Sequence, residues 1–454
     1  MRNNMSIGIG GVCAMMLAAG ACGGPPPEPE ASATSVAAVT TAAAPGDVES
    51  ARIKAFVDAH YGRQDVRHSF RTRFGEDIDC VDAYAQPALR NPALRGLRLP
   101  DSLPLTLKGA AVNPNIVPVA DGLSDENGNA RTCPAGTVPI VRLPAAHMRA
   151  MGFDRWLEHA GRKRSPSGNA APPIVDGYSY VLGVDTSFSG DDSTGIGATL
   201  AIYNPVVQTD SDHSISQIWG LSQGTAQYPC SAPNCEQSLE VGWNVDMGLY
   251  GDGGDDDQGN THLFIFSTRD GYSYTGCYNL ITSCSSEGRS FSGSGFVMYP
   301  GAIYTPGQIL SYAPFGATPG EVGVMWVAGN SLTGWQLFIN GSLVGWYPWS
   351  QYANGQGGTR PLSSERITYF EAGGEVYDPT QYTAMGSGYA PTVGYKYAAY
   401  QRDLRYLSGD DETIVNAPLG FYASDPSYYT YSSTTAAGGT GWSPYFYFGG
   451  DGKF

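Results

Sequence analysis

Two glutamates stand in settings suited to acid–base chemistry: Glu240 in Ser238-Leu-Glu-Val-Gly-Trp243 and Glu375 in Gly373-Gly-Glu-Val376. Both runs read as short strands, where side chains alternate, so Leu239, Val241, Trp243 and Val245 share one face and Glu240, Gly242 and Asn244 the other. The apolar face is core and the glutamate face is a floor. Gly242 and Gly373, beside the carboxylates, would let a substrate backbone approach closely. If both carboxyls reach one water, their charges at ~4 Å and an effective dielectric of ~20 repel by roughly 4 kcal/mol, worth about three pKa units. One member then stays protonated and the two titrate as a pair. The charged member can take a proton from water attacking an amide carbonyl. The neutral one can hydrogen-bond the developing oxyanion and protonate the leaving amine. Glu375 is assigned as base and Glu240 as acid, with Glu371, two alternation steps along the strand, as a rival to Glu375. No cofactor, metal or covalent intermediate is required.

These carboxylates need a sheet to hold them. From about residue 175 the composition turns to Gly, Ser, Tyr and Trp, with short alternating runs between turn signals, which is an all-β pattern. Asp270-Gly271 would link the run 262–268 to 272–278, and Asn340-Gly341 the run 335–339 to 343–347, as tight hairpins tolerant of positive φ. The expected fold is an antiparallel β-sandwich catalytic domain preceded by a small mixed α/β pro-region. The upstream part divides into a signal segment at 1–22, a disordered tether at 23–50, a pro-region at 51–165 and a Pro-rich linker at 166–174, before the β-domain at 175–454. Helical patterns appear at 51–61 and around 145–160, the latter through Met148, Met151, Phe153, Trp156 and Leu157. The basic cluster Arg162-Lys-Arg164 is read as part of an exposed linker.

With 26 basic and 42 acidic residues the formal net charge is −16, which argues against a nucleic-acid partner and against basic adhesion to an anionic membrane. The N-terminal apolar stretch is too short to span a bilayer and reads as an export signal. The small residues before Cys22 resemble a lipoprotein processing site, so the expected destination is secretion or lipid anchoring through Cys22 at a bacterial cell envelope. Six further cysteines in an exported chain imply disulfides, and proximity suggests Cys80-Cys133, Cys230-Cys235 and Cys277-Cys284. The six histidines show no metal-ligand spacing. Gly220-Leu-Ser-Gln-Gly224 lacks the helix that a serine elbow needs, and the acidic run at 251–257 lacks EF-hand spacing.

The words around the glutamates resemble the neprosin family of glutamic peptidases. Ser216-Gln-Ile-Trp219, Leu239-Glu-Val-Gly-Trp243, Leu249-Tyr-Gly-Asp252, Gly276-Cys-Tyr-Asn279, Val344-Gly-Trp-Tyr-Pro348, Gly373-Gly-Glu-Val376 and Met385-Gly-Ser-Gly388 fall in the family's order. Ile78-Asp-Cys-Val81 and Cys133-Pro-Ala-Gly-Thr-Val-Pro139 are similar to its activation-peptide region, so the resemblance spans roughly 70–405. It departs at an acidic insertion at 251–260, in a longer cysteine spacer after 277 and in an extension beyond 405.

The resemblance implies a secreted endopeptidase, made as a zymogen, that cleaves proline-containing polypeptides after proline at acidic pH and is inhibited by its own pro-region. A proline ring needs an apolar pocket, for which Trp219, Tyr250, Tyr278 and Trp346 are candidate walls, while Gln217 could donate to a substrate carbonyl or to a catalytic Glu. The chain is expected to act as a monomer. A glycoside hydrolase, or a non-catalytic carbohydrate- or surface-binding β-sandwich, would share the paired carboxylates and exposed aromatics.

Overall fold

The structure is a computed structural model that describes residues 45–91, 94, 96–100, 122–160, 163, 177–185, 193–222, 236–252, 259–269, 271–272, 276–282, 295–329, 333–352, 362, 366–409, 413–434, 442 and 444–453. The signal segment, Cys22, the linker 166–174, Cys230, Cys235, Cys284, Arg162 and Arg164 lie outside the described residues.

The upstream region contains α1 (Pro45–His60), β1 (Val66–Arg71), β2 (Asp77–Asp82), α2 (Pro87–Arg90), β3 (Thr137–Val141), α3 (Ala145–Met151) and α4 (Phe153–Ala160). Residues 45–50, assigned to the tether, belong to α1, which therefore starts earlier than its apolar spacing suggested. The helix expected around 145–160 is two helices, broken where Gly152 takes φ 89° and ends α3. β1, β2 and β3 form an antiparallel sheet, and the Cys80–Cys133 disulfide ties β2 to the loop before β3.

Sixteen further strands follow among the described residues: β4 (Tyr178–Asp185), β5 (Ser193–Ile202), β6 (His213–Ser222), β7 (Gln237–Val245), β8 (Thr261–Ser267), β9 (Cys277–Tyr278), β10 (Val297–Met298), β11 (Gly320–Ala328), β12 (Gly334–Ile339), β13 (Ser342–Pro348), β14 (Tyr369–Tyr377), β15 (Ala399–Ser408), β16 (Ile414–Asn416), β17 (Leu419–Ala423), β18 (Thr430–Thr434) and β19 (Tyr445–Gly449). One antiparallel sheet runs β17-β4-β14-β6-β7-β8-β9. The other runs β10-β13-β12-β11-β5-β15-β19-β18, with β16 on β15. A short helix, α5 (Met247–Tyr250), follows β7.

The two sheets bury a common apolar core. Leu239, Val241, Trp243 and Val245 enter it as the alternation of β7 requires, and Trp243 Nε1 donates to the Ala201 carbonyl of the facing sheet at 2.9 Å. Gln401 on β15 also crosses between the layers. Its Nε2 donates to Ser216 Oγ at 3.0 Å, to the Gln217 carbonyl at 3.1 Å and to the Gly373 carbonyl at 3.0 Å.

Asn340 and Gly341 make the expected two-residue turn between β12 and β13, with φ of 47° and 78°. The hairpin expected from 262–268 to 272–278 is not the one formed: β8 pairs with β9 through Phe266–Tyr278 and Ser267–Cys277, and Tyr272 lies outside the ladder, while Asp270 of the expected turn lies outside the described residues. Cys277 is disulfide-bonded.

Candidate active site

Antiparallel register builds the site. Glu375 on β14 lies opposite Ile215 of β6, Gln217 of β6 lies opposite Gly373 and Gly242, and Glu240 on β7 lies opposite Trp219. Paired residues share a face, so Glu375, Gln217 and Glu240 form a diagonal across three adjacent strands, two residues further along at each step. All three are buried.

A cation from upstream occupies this diagonal. Lys163 Nζ lies 3.1 Å from Glu240 Oε2 and pairs with Glu375 Oε2. The rings of Trp219, Phe264 and Phe266 stand around it with centroids at 5.6, 5.2 and 6.0 Å, a cation–π setting. The basic cluster at 162–164 was expected in an exposed linker; instead Lys163 is only 5% exposed and sits between the carboxylates. The signal for solvent, a run of three basic residues, cannot reveal that two acidic partners wait more than 70 residues downstream.

Helices α3 and α4 bring Lys163 there. Trp156 Nε1 donates to the Leu249 carbonyl at 3.0 Å, His147 Nε2 lies 2.9 Å from the Gly248 carbonyl, and His159 Nε2 lies 2.6 Å from Asp246 Oδ1. The helix pair thus grips α5 just after β7, and the chain reaches the cleft three residues beyond the end of α4.

Each carboxyl is held by its own set of donors. Glu240 Oε1 accepts from Ser238 Oγ at 2.9 Å and from the Tyr272 hydroxyl at 2.6 Å. With both donors on Oε1, a proton on Glu240 resides on Oε2, the oxygen facing Lys163. Tyr272 reaches this position with φ 59°, uncommon for a bulky residue, next to Gly271 at φ 66°. Glu375 Oε2 accepts from Gln217 Nε2 at 3.0 Å, and Glu375 Oε1 lies 3.5 Å from His213 Nε2, a looser contact.

The two carboxyls differ electrostatically. Burial pushes Glu240 up, Lys163 pulls it back and the charge of Glu375 pushes it up again, leaving it above the usual carboxylate range. Burial also opposes ionisation of Glu375, but Lys163 and His213 outweigh it and hold Glu375 low. The same floor carries a third carboxyl, Glu371, which burial followed by repulsion from Glu236 and Glu240 raises to about 8.

Other candidates fall in different places. Asn244 shares the floor, but its Nδ2 donates to the Tyr278 hydroxyl at 2.8 Å and its Oδ1 accepts from the Tyr250 hydroxyl at 3.2 Å. Tyr250 also stacks on His262 with centroids 3.6 Å apart. Trp346 belongs to β13 of the other sheet, buried in the common core, so it is not a wall of this cleft. The glycines have a different cause from the one expected. A Cβ at Gly242 would lie 1.9 Å from the Ser216 carbonyl oxygen, and one at Gly373, where φ is 155°, would lie 1.9 Å from that of Val181. Neighbouring strands, rather than an approaching substrate, exclude a side chain there. Sequence reasoning missed Lys163, Ser238, Tyr272, His213 and Gln401. Only Ser238 carried a local signal, two residues from Glu240 on the same strand face.

A family model described as Neprosin matches residues 210–451, more than half of the chain. Among solved structures, scytalido-glutamic peptidase with a peptide-based transition-state analogue is similar at 10% identity, covering 61% of this chain and 98% of that chain, with a TM-score of 0.24. SCP-B, a member of the eqolisin family of peptidases in complex with the tripeptide Ala-Ile-His, is similar at 9% identity over 60% of this chain and 97% of that chain, with a TM-score of 0.24.

Proposed function

The chain belongs to the neprosin family of glutamic peptidases, and on that premise we propose that it is an exported endopeptidase whose Glu240–Glu375 pair activates water to cleave polypeptides after proline in acid. The observation that carries this reading is the diagonal itself: two buried carboxyls on separate strands meet at one cation. Once that cation leaves, a water or an amide carbonyl can take its place between them.

Glu375, held low, is the base that deprotonates water. Glu240, held high and with its proton on Oε2, hydrogen-bonds the carbonyl oxygen as charge develops and then protonates the leaving nitrogen. Gln217 Nε2 keeps Glu375 aimed at the water. The rings of Trp219, Phe264 and Phe266 offer an apolar seat for the proline ring.

The upstream region acts as the inhibitor, with Lys163 as its plug, which makes the chain a zymogen. The sign of the pH effect follows from Glu375. Its depressed value means that the Lys163 pair is fully present above the ordinary carboxylate range and is lost as pH falls through the depressed value. Lys163 pulls Glu240 down as well, so a proton on Glu240 weakens the same plug, although burial and the charge of Glu375 leave its value raised. Acid therefore loosens the plug through Glu375, and cleavage in the Pro-rich segment 166–174 would release it. Release is free or from a lipid anchor at Cys22.

The test is to replace Glu240 and Glu375 by Gln, singly, and to digest a proline-rich protein with acid-treated enzyme. Each variant should lose at least ~1,000-fold in turnover while keeping its circular dichroism spectrum; a variant that still cleaves would overturn the assignment. Release of reducing sugar from a glycan instead would favour the glycoside hydrolase reading.

A further inference from the structure

The row that carries Glu240 continues across the sheet to Trp219 on β6 and Glu371 on β14. Both residues are buried, and each keeps a polar atom without a hydrogen-bond partner among the described residues: Trp219 Nε1 and Glu371 Oε2. Buried polar atoms are rarely left so. The Trp219 ring lies 5.6 Å from Lys163 Nζ, which places this row in the same cleft as the catalytic pair. Glu371 is four residues from Glu375 along β14 and level with Glu240 on β7, so the row crosses the floor at the Glu240 end of the cleft, back toward the strand of Glu375.

The chemistry of the two groups restricts their ligand. An indole N–H only donates. Burial and then repulsion from Glu236 and Glu240 keep Glu371 protonated in acid, so its carboxyl donates as well. Two neighbouring donors ask for an oxygen acceptor. A carboxylate would be repelled by Glu236 and Glu240, and a basic side chain could not use the indole. What remains is a neutral carbonyl.

We propose that Trp219 and Glu371 form a substrate subsite that hydrogen-bonds a main-chain carbonyl of the bound polypeptide on the Glu240 side of the scissile bond. The proposal rests on the peptidase reading of the cleft. It makes the enzyme dependent on chain length, because a peptide must run on from the scissile bond to the level of Glu240 along the strands to reach these donors, and it suits internal bonds better than terminal ones.

The experiment uses acid-processed enzyme and proline-containing peptides lengthened one residue at a time on each side of the bond. Glu371→Leu should raise KM about tenfold for long peptides, and the effect should vanish for peptides cut back on one side only. Glu371→Gln, which keeps a donor, should recover most of the loss. Equal effects on long and short peptides would overturn the proposal and leave Glu371 a structural group. If the Leu variant fails to fold, binding of a long, uncleaved peptide is measured in the Glu240→Gln, Glu375→Gln background from pH 5 to 9. Affinity should fall as pH passes about 8 with Glu371 present and stay level with Glu371→Gln; parallel curves, or tighter binding of an arginine peptide at high pH, would overturn it. Absence of turnover by the wild type would instead sink the peptidase reading.

Discussion

Two buried charge clusters in this molecule make an instructive pair. In one, Arg402 on β15 donates through Nε to Glu321 Oε1 at 2.7 Å and through Nη2 to Glu321 Oε2 at 2.6 Å, and through Nη1 to Asp403 at 2.5 Å, while the Tyr400 hydroxyl donates to Glu321 Oε1 at 2.7 Å. Its cation and its anions come from β11 and β15 of a single sheet. In the other, Lys163 arrives from a helical region outside the sheet that holds Glu240 and Glu375. Several atoms around it are left poorly met: Gln217 Oε1 has no hydrogen-bond partner among the described residues, and Glu375 Oε1 meets His213 Nε2 only at 3.5 Å. Guanidinium matches carboxylate with a rigid fork, whereas an ammonium is a point charge that leaves directional demands unmet. The ion-pair partners described for Arg402 come from its own sheet, whereas Lys163 reaches its carboxylates from a segment outside theirs.

That contrast can be broken most severely at Lys163. Lys163→Met keeps the length of the side chain but removes its charge, leaving two carboxyls facing each other in the cleft. The precursor should then cleave peptide without acid treatment, at least ~100-fold faster than the untreated wild type, since losing one partner of a buried pair costs about 3–5 kcal/mol. A Lys163→Met precursor that stays latent would show that the helices alone close the cleft. Arg402→Met should act in the opposite sense: about 3–5 kcal/mol lost in denaturant unfolding, with latency and acid-triggered cleavage retained. If it abolished latency instead, the two clusters would not be independent.

A finer test concerns Tyr272. Tyr272→Phe removes one of the two donors on Glu240 Oε1, which raises Glu240 further because the lost bond favoured the charged form. As the group that must be protonated, Glu240 should set the alkaline limb of kcat/KM. That limb should move up by about one pH unit, with kcat falling about tenfold. An upward move of the acid limb, with the alkaline limb unmoved, would reverse the roles of the two glutamates.

Local patterning made half of this site readable. The alternation of β7 placed Glu240, Gly242 and Asn244 on one face, and the Asn340-Gly341 turn and the Cys80–Cys133 disulfide followed from backbone tolerance and cysteine spacing. The rest depended on partners distant in the chain. Lys163 read as a solvated charge because nothing nearby calls it inward, and Tyr272 read as a strand residue because its aromatic type fits a pleat. Its positive φ answers to Glu240, more than 30 positions away. Gly242 and Gly373 were recognised as special, but for the wrong neighbour: the crowding comes from the sheet itself. Trp346 was drawn toward the cleft by its aromatic ring, although its strand belongs to the other layer.

The three bonds from Gln401 have a mechanical consequence. One amide nitrogen pins strands of the first layer to a strand of the second, beneath Gln217 and Gly373. Sliding of one layer over the other would strip acceptors under the cleft before it disturbed the carboxylates above. The spacing of the glutamates is thereby geared to how the layers stack, and changes in the remote layer could detune the distance between them without touching either one.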